Sequence, residues 1–154
     1  MRTVCSLLLL LAACKSRALH IELDGELNEQ AWNERAERHV LLGDDGHEMR
    51  PYSELRALHD DAHVYLGLYA ADEDIRSTDT FDVEIGGETL HYTAGGPHVD
   101  RDGTLDQPND FDEEWVVEAA VPRPSSPELS VSRCDTMKSG ERRCGAWRGK
   151  LDLK

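Results

Sequence analysis

Over residues 63–70, Val64, Leu66, Leu68 and Ala70 alternate with Tyr65, Gly67 and Tyr69. A period of two assigns a β-strand. Apolar or aromatic residues on both sides assign one that is covered on both faces. Such a strand needs neighbours, and the sequence supplies candidates. Residues 54–59 alternate with Leu55, Ala57 and His59 on one side, and Asp60-Asp61 turns that run back into the central strand. Residues 81–85 and 88–94 flank Gly86-Gly87 and read as a hairpin. Residues 114–121 place Trp115, Val117, Ala119 and Val121 together, and Pro122 ends the run. Residues 146–153 alternate with Trp147, Gly149, Leu151 and Leu153 on one side. Residues 20–23 make a shorter alternation that stops at Asp24-Gly25, and residues 28–36 form a short helical turn around Trp32. Residues 95–112 and 124–127 read as loops, rich in Gly, Pro, Asn, Asp and Ser. The expected fold is all-β: an antiparallel, jelly-roll-like β-sandwich with one short helical turn near the N-terminus.

The N-terminus follows different rules. Met1-Arg2-Thr3 carries one positive charge, residues 6–13 are small or apolar, and Leu11-Ala12-Ala13-Cys14 follows. This is the layout of a secretory signal and is too short to cross a bilayer, which takes about 20 apolar residues. The four residues ending at Cys14 resemble the lipobox of bacterial lipoproteins. The resemblance implies cleavage before Cys14, lipid on its thiol and acylation of the new amino terminus, and two or more acyl chains give lasting attachment. Residues 1–13 are then a signal peptide, 14–18 a short tether and 19–154 a single domain. A plain secreted protein cut near Ala13, or a cytosolic chain with an apolar start, are the alternatives. Lys15 is not the Asp that marks inner-membrane retention in some bacteria, so the outer membrane or cell surface is the expected location.

A domain of about 140 residues is long enough to bury one core. The net charge of −14 argues against nucleic acid as a partner. Carboxylates dominate residues 22–118. The stretch 133–154 is basic, with Arg133, Lys138, Arg142, Arg143, Arg148 and Lys150, and both regions read as solvated faces. Cys134 and Cys144 lie close in sequence, and outside the cytoplasm such a pair reads as a disulfide. Asp135, Ser139 and Gly140 suit a turn between them, so the bridge is expected to staple a hairpin.

Five segments, in order, resemble family 9 carbohydrate-binding modules and their relatives. They are the opening Leu23-Asp24-Gly25-Glu26-Leu27-Asn28-Glu29-Gln30-Ala31-Trp32, the strand–Asp-Asp–strand of residues 55–66, and Ala71-Asp72-Glu73-Asp74-Ile75. The strand of residues 79–85 and the late run Glu114-Trp115-Val116-Val117-Glu118-Ala119-Ala120-Val121-Pro122 complete the set. The resemblance covers nearly all of residues 19–154. It implies a β-sandwich that binds a poly- or oligosaccharide without catalysis. His59 stands where the family often carries Trp, and the span from Val83 to Trp115 is short for a ligand-bearing loop. Members of the wider group include modules with structural calcium and relatives that hold haem.

A sugar site needs an aromatic face for pyranose C–H groups and planar polar groups for hydroxyls. Trp32 reads as packed under the sandwich edge and Trp115 as core. Trp147, Tyr52 and Phe111 remain as platforms, with His98, Arg101 and Asn109 as hydrogen-bonding partners. Asp72, Asp74, Asp79 and Asp82 are close enough in sequence to suggest a calcium site, since hard cations take several oxygen ligands from flexible loops. His59 and His63 bracket a turn and need not converge on a metal, and Met49 and Met137 are the methionines left as haem ligands. No G-x-S-x-G, H-E-x-x-H or phosphate-cradling loop is present, so no enzyme is expected. The expected function is a membrane-anchored carbohydrate-binding module of the cell envelope. An envelope protein–protein interaction module on the same sandwich is the alternative, and a small enzyme with converging acids is a third reading.

Overall fold

The computed structural model describes residues 19–107 and 113–154. Its one helix among these residues, α1 (Gln30–Glu34), is followed by β1 (Glu37–Val40), β2 (Leu42–Gly43), β3 (Ser53–His59) and β4 (His63–Ala71). Next come β5 (Thr80–Ile85), β6 (Glu88–Thr93), β7 (Val99–Asp102) and β8 (Glu114–Pro122). β9 (Glu128–Thr136) and β10 (Arg142–Lys150) complete the chain. The strands form two antiparallel five-stranded sheets, β1-β3-β4-β8-β7 and β2-β10-β9-β5-β6, the all-β sandwich expected from the alternation. Call them the first and second sheet. The chain changes sheet between β4 and β5, between β6 and β7, and between β8 and β9. It also crosses at Leu41, which is fully buried between β1 and β2, and returns between β2 and β3.

β4 is central: β3 pairs with it on one side and β8 on the other. Val64, Leu66, Leu68 and Ala70 face the second sheet and are fully buried. Phe81, Val83 and Val131 meet them from the second sheet, also with no exposure. Phe81 and Trp115 pack ring to ring across the layers, centroids 5.0 Å apart. The hairpin at Gly86-Gly87 forms as read, with Ile85 opposite Glu88. Cys134 and Cys144 stand directly opposite each other on β9 and β10 and are bonded, so the disulfide does staple a hairpin.

Four local expectations are corrected. Residues 20–23 form no strand: the Glu22 amide donates to Glu29 Oε1 at 2.8 Å, and just after the segment Asp24 N donates to Glu118 Oε2 at 3.0 Å. The stretch read as a loop over residues 95–112 contains β7, a short charged edge strand paired to β8. Its residues 108–112 lie outside the described part. Asp135 is not in the turn but in β9 and buried, while the turn closes through Gly140 N to Met137 O at 2.7 Å. Arg133, read as part of a solvated basic face, has no exposed surface at all.

Candidate functional site

The outer face of the first sheet is not bare. Residues 19–34 run across it as a third, thin layer. Gly67, in the middle of β4, leaves room for Leu27; a Cβ there would come within 2.5 Å of Leu27 Cδ2. Gly25 adopts φ +92°, a backbone that disfavours other residues, and lies so close to Asp100 that a Cβ would meet its side chain at 2.4 Å. Opposite Gly67 on β8 is Glu118, almost wholly buried. Its Oε2 accepts the amides of Asp24 (3.0 Å) and Gly25 (2.8 Å), and its Oε1 accepts the Trp32 indole N–H at 2.8 Å. Trp32 is fully buried over this face rather than under the sandwich edge. The opening D-G…W run and the late W-x-x-E run are thus two halves of one joint: a carboxylate and the three donors that satisfy it.

Burial pushes the Glu118 carboxyl up to about 7, against the pull of the Gly25 amide and the Trp32 indole. The folded chain then holds this proton at pH values where the unfolded chain has lost it. The stability from Glu118 is therefore fullest below about 4.5 and is lost as pH rises through about 7. Glu118→Gln keeps the neutral shape but sets an amide NH2 against one of the donors, at a cost of ~1–3 kcal/mol. That deficit should narrow between about pH 5 and pH 8, as the wild type alone loses the proton's contribution. Urea denaturation of both proteins checks it; a deficit that widens with pH contradicts the assignment.

Beside Leu27 the covering layer leaves a groove of about 290 Å³, lined by Asn28, Arg56, Tyr69, Asp102 and Glu114 among others. The sheet register brings these residues together: Glu54 stands opposite Tyr69, Arg56 opposite Gly67, and Glu114 opposite Ala71. Arg56 Nε donates to Glu54 Oε1 at 2.6 Å, and the Tyr52 hydroxyl donates to Glu54 Oε2 at 2.8 Å. Burial alone would raise the Glu54 carboxyl, but its bonds from Arg56 and Tyr52 hold it below the usual value. Tyr52 is pushed up to about 12 by burial and by the Glu54 carboxylate. Tyr69 is raised further, by burial and by its bond to Glu114. The two half-buried tyrosine rings lie 6.3 Å apart, tilted by 56°. The groove therefore combines aromatic surface with a fixed array of guanidinium, carboxylate and amide groups.

The other residues singled out by sequence are spread over the fold. Trp147 is half-buried against the core and stacks on His39 of β1, centroids 4.0 Å apart, while its indole also lies against Gly149. It thereby links β10 of the second sheet to β1 at the edge of the first. Arg101 sits on β7 and donates from Nη1 to the Ala94 carbonyl at 2.7 Å. His98, with φ +59°, lines a separate cleft of about 480 Å³ between β6 and β8, together with Leu23, Tyr92 and Glu118. Asn109, Phe111 and Cys14 lie outside the described residues. A larger concavity, about 800 Å³ on the second sheet, has no aromatic lining, and four of its charged residues pair as Arg148–Glu84 (3.6 Å) and Lys150–Glu128 (3.8 Å).

The four aspartates considered for calcium do not converge. Asp82 is on the outer face of the second sheet, with His91 Nδ1 at 2.6 Å. Asp74 is buried with Oδ2 held by Arg76 Nε at 2.8 Å, while its Oδ1 has no partner. Asp72 and Asp79 do meet, but with Asp135: one carboxylate oxygen of each lies within 4.8 Å of the others. Arg133 is wedged among them. Its Nη2 donates to Asp72 Oδ2 (3.0 Å) and Asp135 Oδ1 (2.8 Å), and its Nη1 to Ser53 Oγ (2.8 Å) and the Ala71 carbonyl (3.0 Å). Burial and the neighbouring carboxylates raise Asp135 despite Arg133, and burial likewise raises Asp79.

Sequence reasoning missed Tyr69, Arg56, Glu54, Glu114, Glu118, Arg133 and Asp135. The signal for Arg133 and Asp135 was present: they continue the inward phase of Leu129 and Val131. Tyr69 and Arg56 lie on the non-core phase of two adjacent strands, where register joins them. No protein-family model matches the sequence, and no curated protein matches it.

Proposed function

We propose that this chain is an exported lipoprotein, held at the bacterial envelope by lipid on Cys14, whose sandwich binds a poly- or oligosaccharide without catalysis. The groove over the first sheet is the observation that carries this reading. Tyr69 offers a ring for a sugar's C–H face, while Arg56, Glu114 and Asn28 offer planar groups to its hydroxyls. Its volume, about 290 Å³, lies near the lower end of ligand pockets, ~300–1,000 Å³. That suits one or two sugar units of a longer chain. The resemblance of five segments to family 9 carbohydrate-binding modules supports the same reading, as does the lipobox-like sequence at Cys14.

Binding is tested with the full chain in detergent, by glycan array and then by isothermal titration against the glycans retained. Tyr69→Ala is expected to weaken binding at least tenfold, which is about 1.4 kcal/mol, and Arg56→Ala similarly. A chain that binds no poly- or oligosaccharide overturns the carbohydrate reading. Mass spectrometry of the chain recovered from membranes, beside Cys14→Ser, tests the anchor separately.

A further inference from the structure

The three buried carboxylates of Asp72, Asp79 and Asp135 have the geometry of a cation site, and they already contain a cation. We infer that the Arg133 guanidinium is the resident counter-ion of this cluster, standing where calcium would bind and making the domain independent of divalent metal.

Calcium takes six to eight oxygen ligands at about 2.3–2.6 Å, each with a lone pair aimed at the ion. In this cluster each carboxylate already accepts N–H donors, and Asp72 and Asp135 accept them from Arg133. Asp79 accepts the Thr136 amide on Oδ1 at 2.8 Å and the Arg76 amide on Oδ2 at 2.7 Å. Asp72 accepts the Asp74 amide on Oδ1 at 2.9 Å, and the Trp115 indole and Arg133 on Oδ2. Asp135 accepts Arg133 Nη2 on Oδ1 at 2.8 Å. A metal here would displace Arg133 from Asp72 and Asp135, or lie against a guanidinium that has no exposed surface. Asp74, whose Oδ1 has no partner, is among the residues that line a pocket of about 150 Å³ beside the cluster, with Asp72, Asp135 and Lys138. One free oxygen does not make a coordination sphere.

The guanidinium also does what a bound ion could do only through its ligands. From β9 of the second sheet it reaches Ser53 at the start of β3 and the Ala71 carbonyl at the end of β4. It thereby fastens the two sheets together at one end of the sandwich. Arg suits this place because its planar fork serves several acceptors and stays charged when buried.

Thermal unfolding of the full chain, in excess EDTA and in millimolar calcium chloride, tests the inference. The wild-type midpoint is expected to be the same in both, and calorimetry to show no calcium binding. Arg133→Met leaves three facing carboxylates without their cation. Its midpoint in EDTA should fall below the wild type's, and calcium should raise it by roughly 5–10 °C, the shift for about a hundredfold excess over Kd. A wild-type midpoint that rises with calcium, or falls on chelation, overturns the inference. So does a folded Arg133→Met that ignores calcium. Should that variant not accumulate, the wild-type comparison decides the matter alone.

Discussion

Trp32→Ala should lower the stability of the domain by roughly 3–5 kcal/mol, the range for deleting a large buried aromatic side chain. The indole has no exposed surface, yet it belongs to no strand and lies outside the main core between the sheets. Its loss would uncover the outer face of the first sheet and leave Glu118 with one donor fewer. Trp32→Phe separates the two contributions. It keeps most of the apolar contact but removes the indole N–H, and should cost ~1–3 kcal/mol, the penalty for an unsatisfied buried polar group. Urea denaturation followed by circular dichroism measures both. A cost below about 1 kcal/mol for the alanine variant would mean that residues 19–34 do not fold as one unit with the sandwich.

The second large effect belongs to the disulfide. Replacing Cys134 and Cys144 together by Ser should destabilise the chain by roughly 2–3 kcal/mol in the chain-entropy account of a loop this short. The two cysteines are ten residues apart in sequence and directly opposite in register, with the hairpin already hydrogen-bonded on either side of them. The bridge therefore adds little to the native ladder and acts mainly by restricting the unfolded chain. Cys144 is exposed and Cys134 partly so, on the outer face of the second sheet. Dithiothreitol should accordingly reduce the folded protein, and its unfolding midpoint should then match that of the double Ser variant. A reduced protein as stable as the oxidised one would show that the unfolded hairpin stays paired without its covalent link.

The strands that build the core were legible where period two ran through a longer apolar stretch, as in β4, β5 and β8, while β9 went unread although Leu129 and Val131 alternate in it. β7 was not legible, because Val99-Asp100-Arg101-Asp102 carries charges on an edge and owes its pairing to β8. β1 is as short as β7 and β2 is shorter still, and they owe their pairing to β3 and β10. The groove was illegible for a related reason. Its residues come from β3, β4, β7, β8 and the segment before α1, and only register places Arg56, Tyr69 and Glu114 side by side. The acidic cluster misled in the opposite way. Asp72, Asp74, Asp79 and Asp82 are near in sequence, but strand alternation turns Asp82 outward, and the group that completes the cluster comes from β9. Arg133 was hidden by its basic neighbours, which are exposed where it is not.

Residues 19–34 also have a mechanical consequence. A pull at the N-terminal end meets the amides of Asp24 and Gly25 first, then Leu27 on Gly67, and last Trp32. These holdfasts are met one after another, so the segment peels from the sheet, whereas the strands beneath would have to be sheared with many bonds loaded at once. The layer over the first sheet is therefore the part that yields first. Its release would free roughly 50 Å of extended chain with every strand still paired.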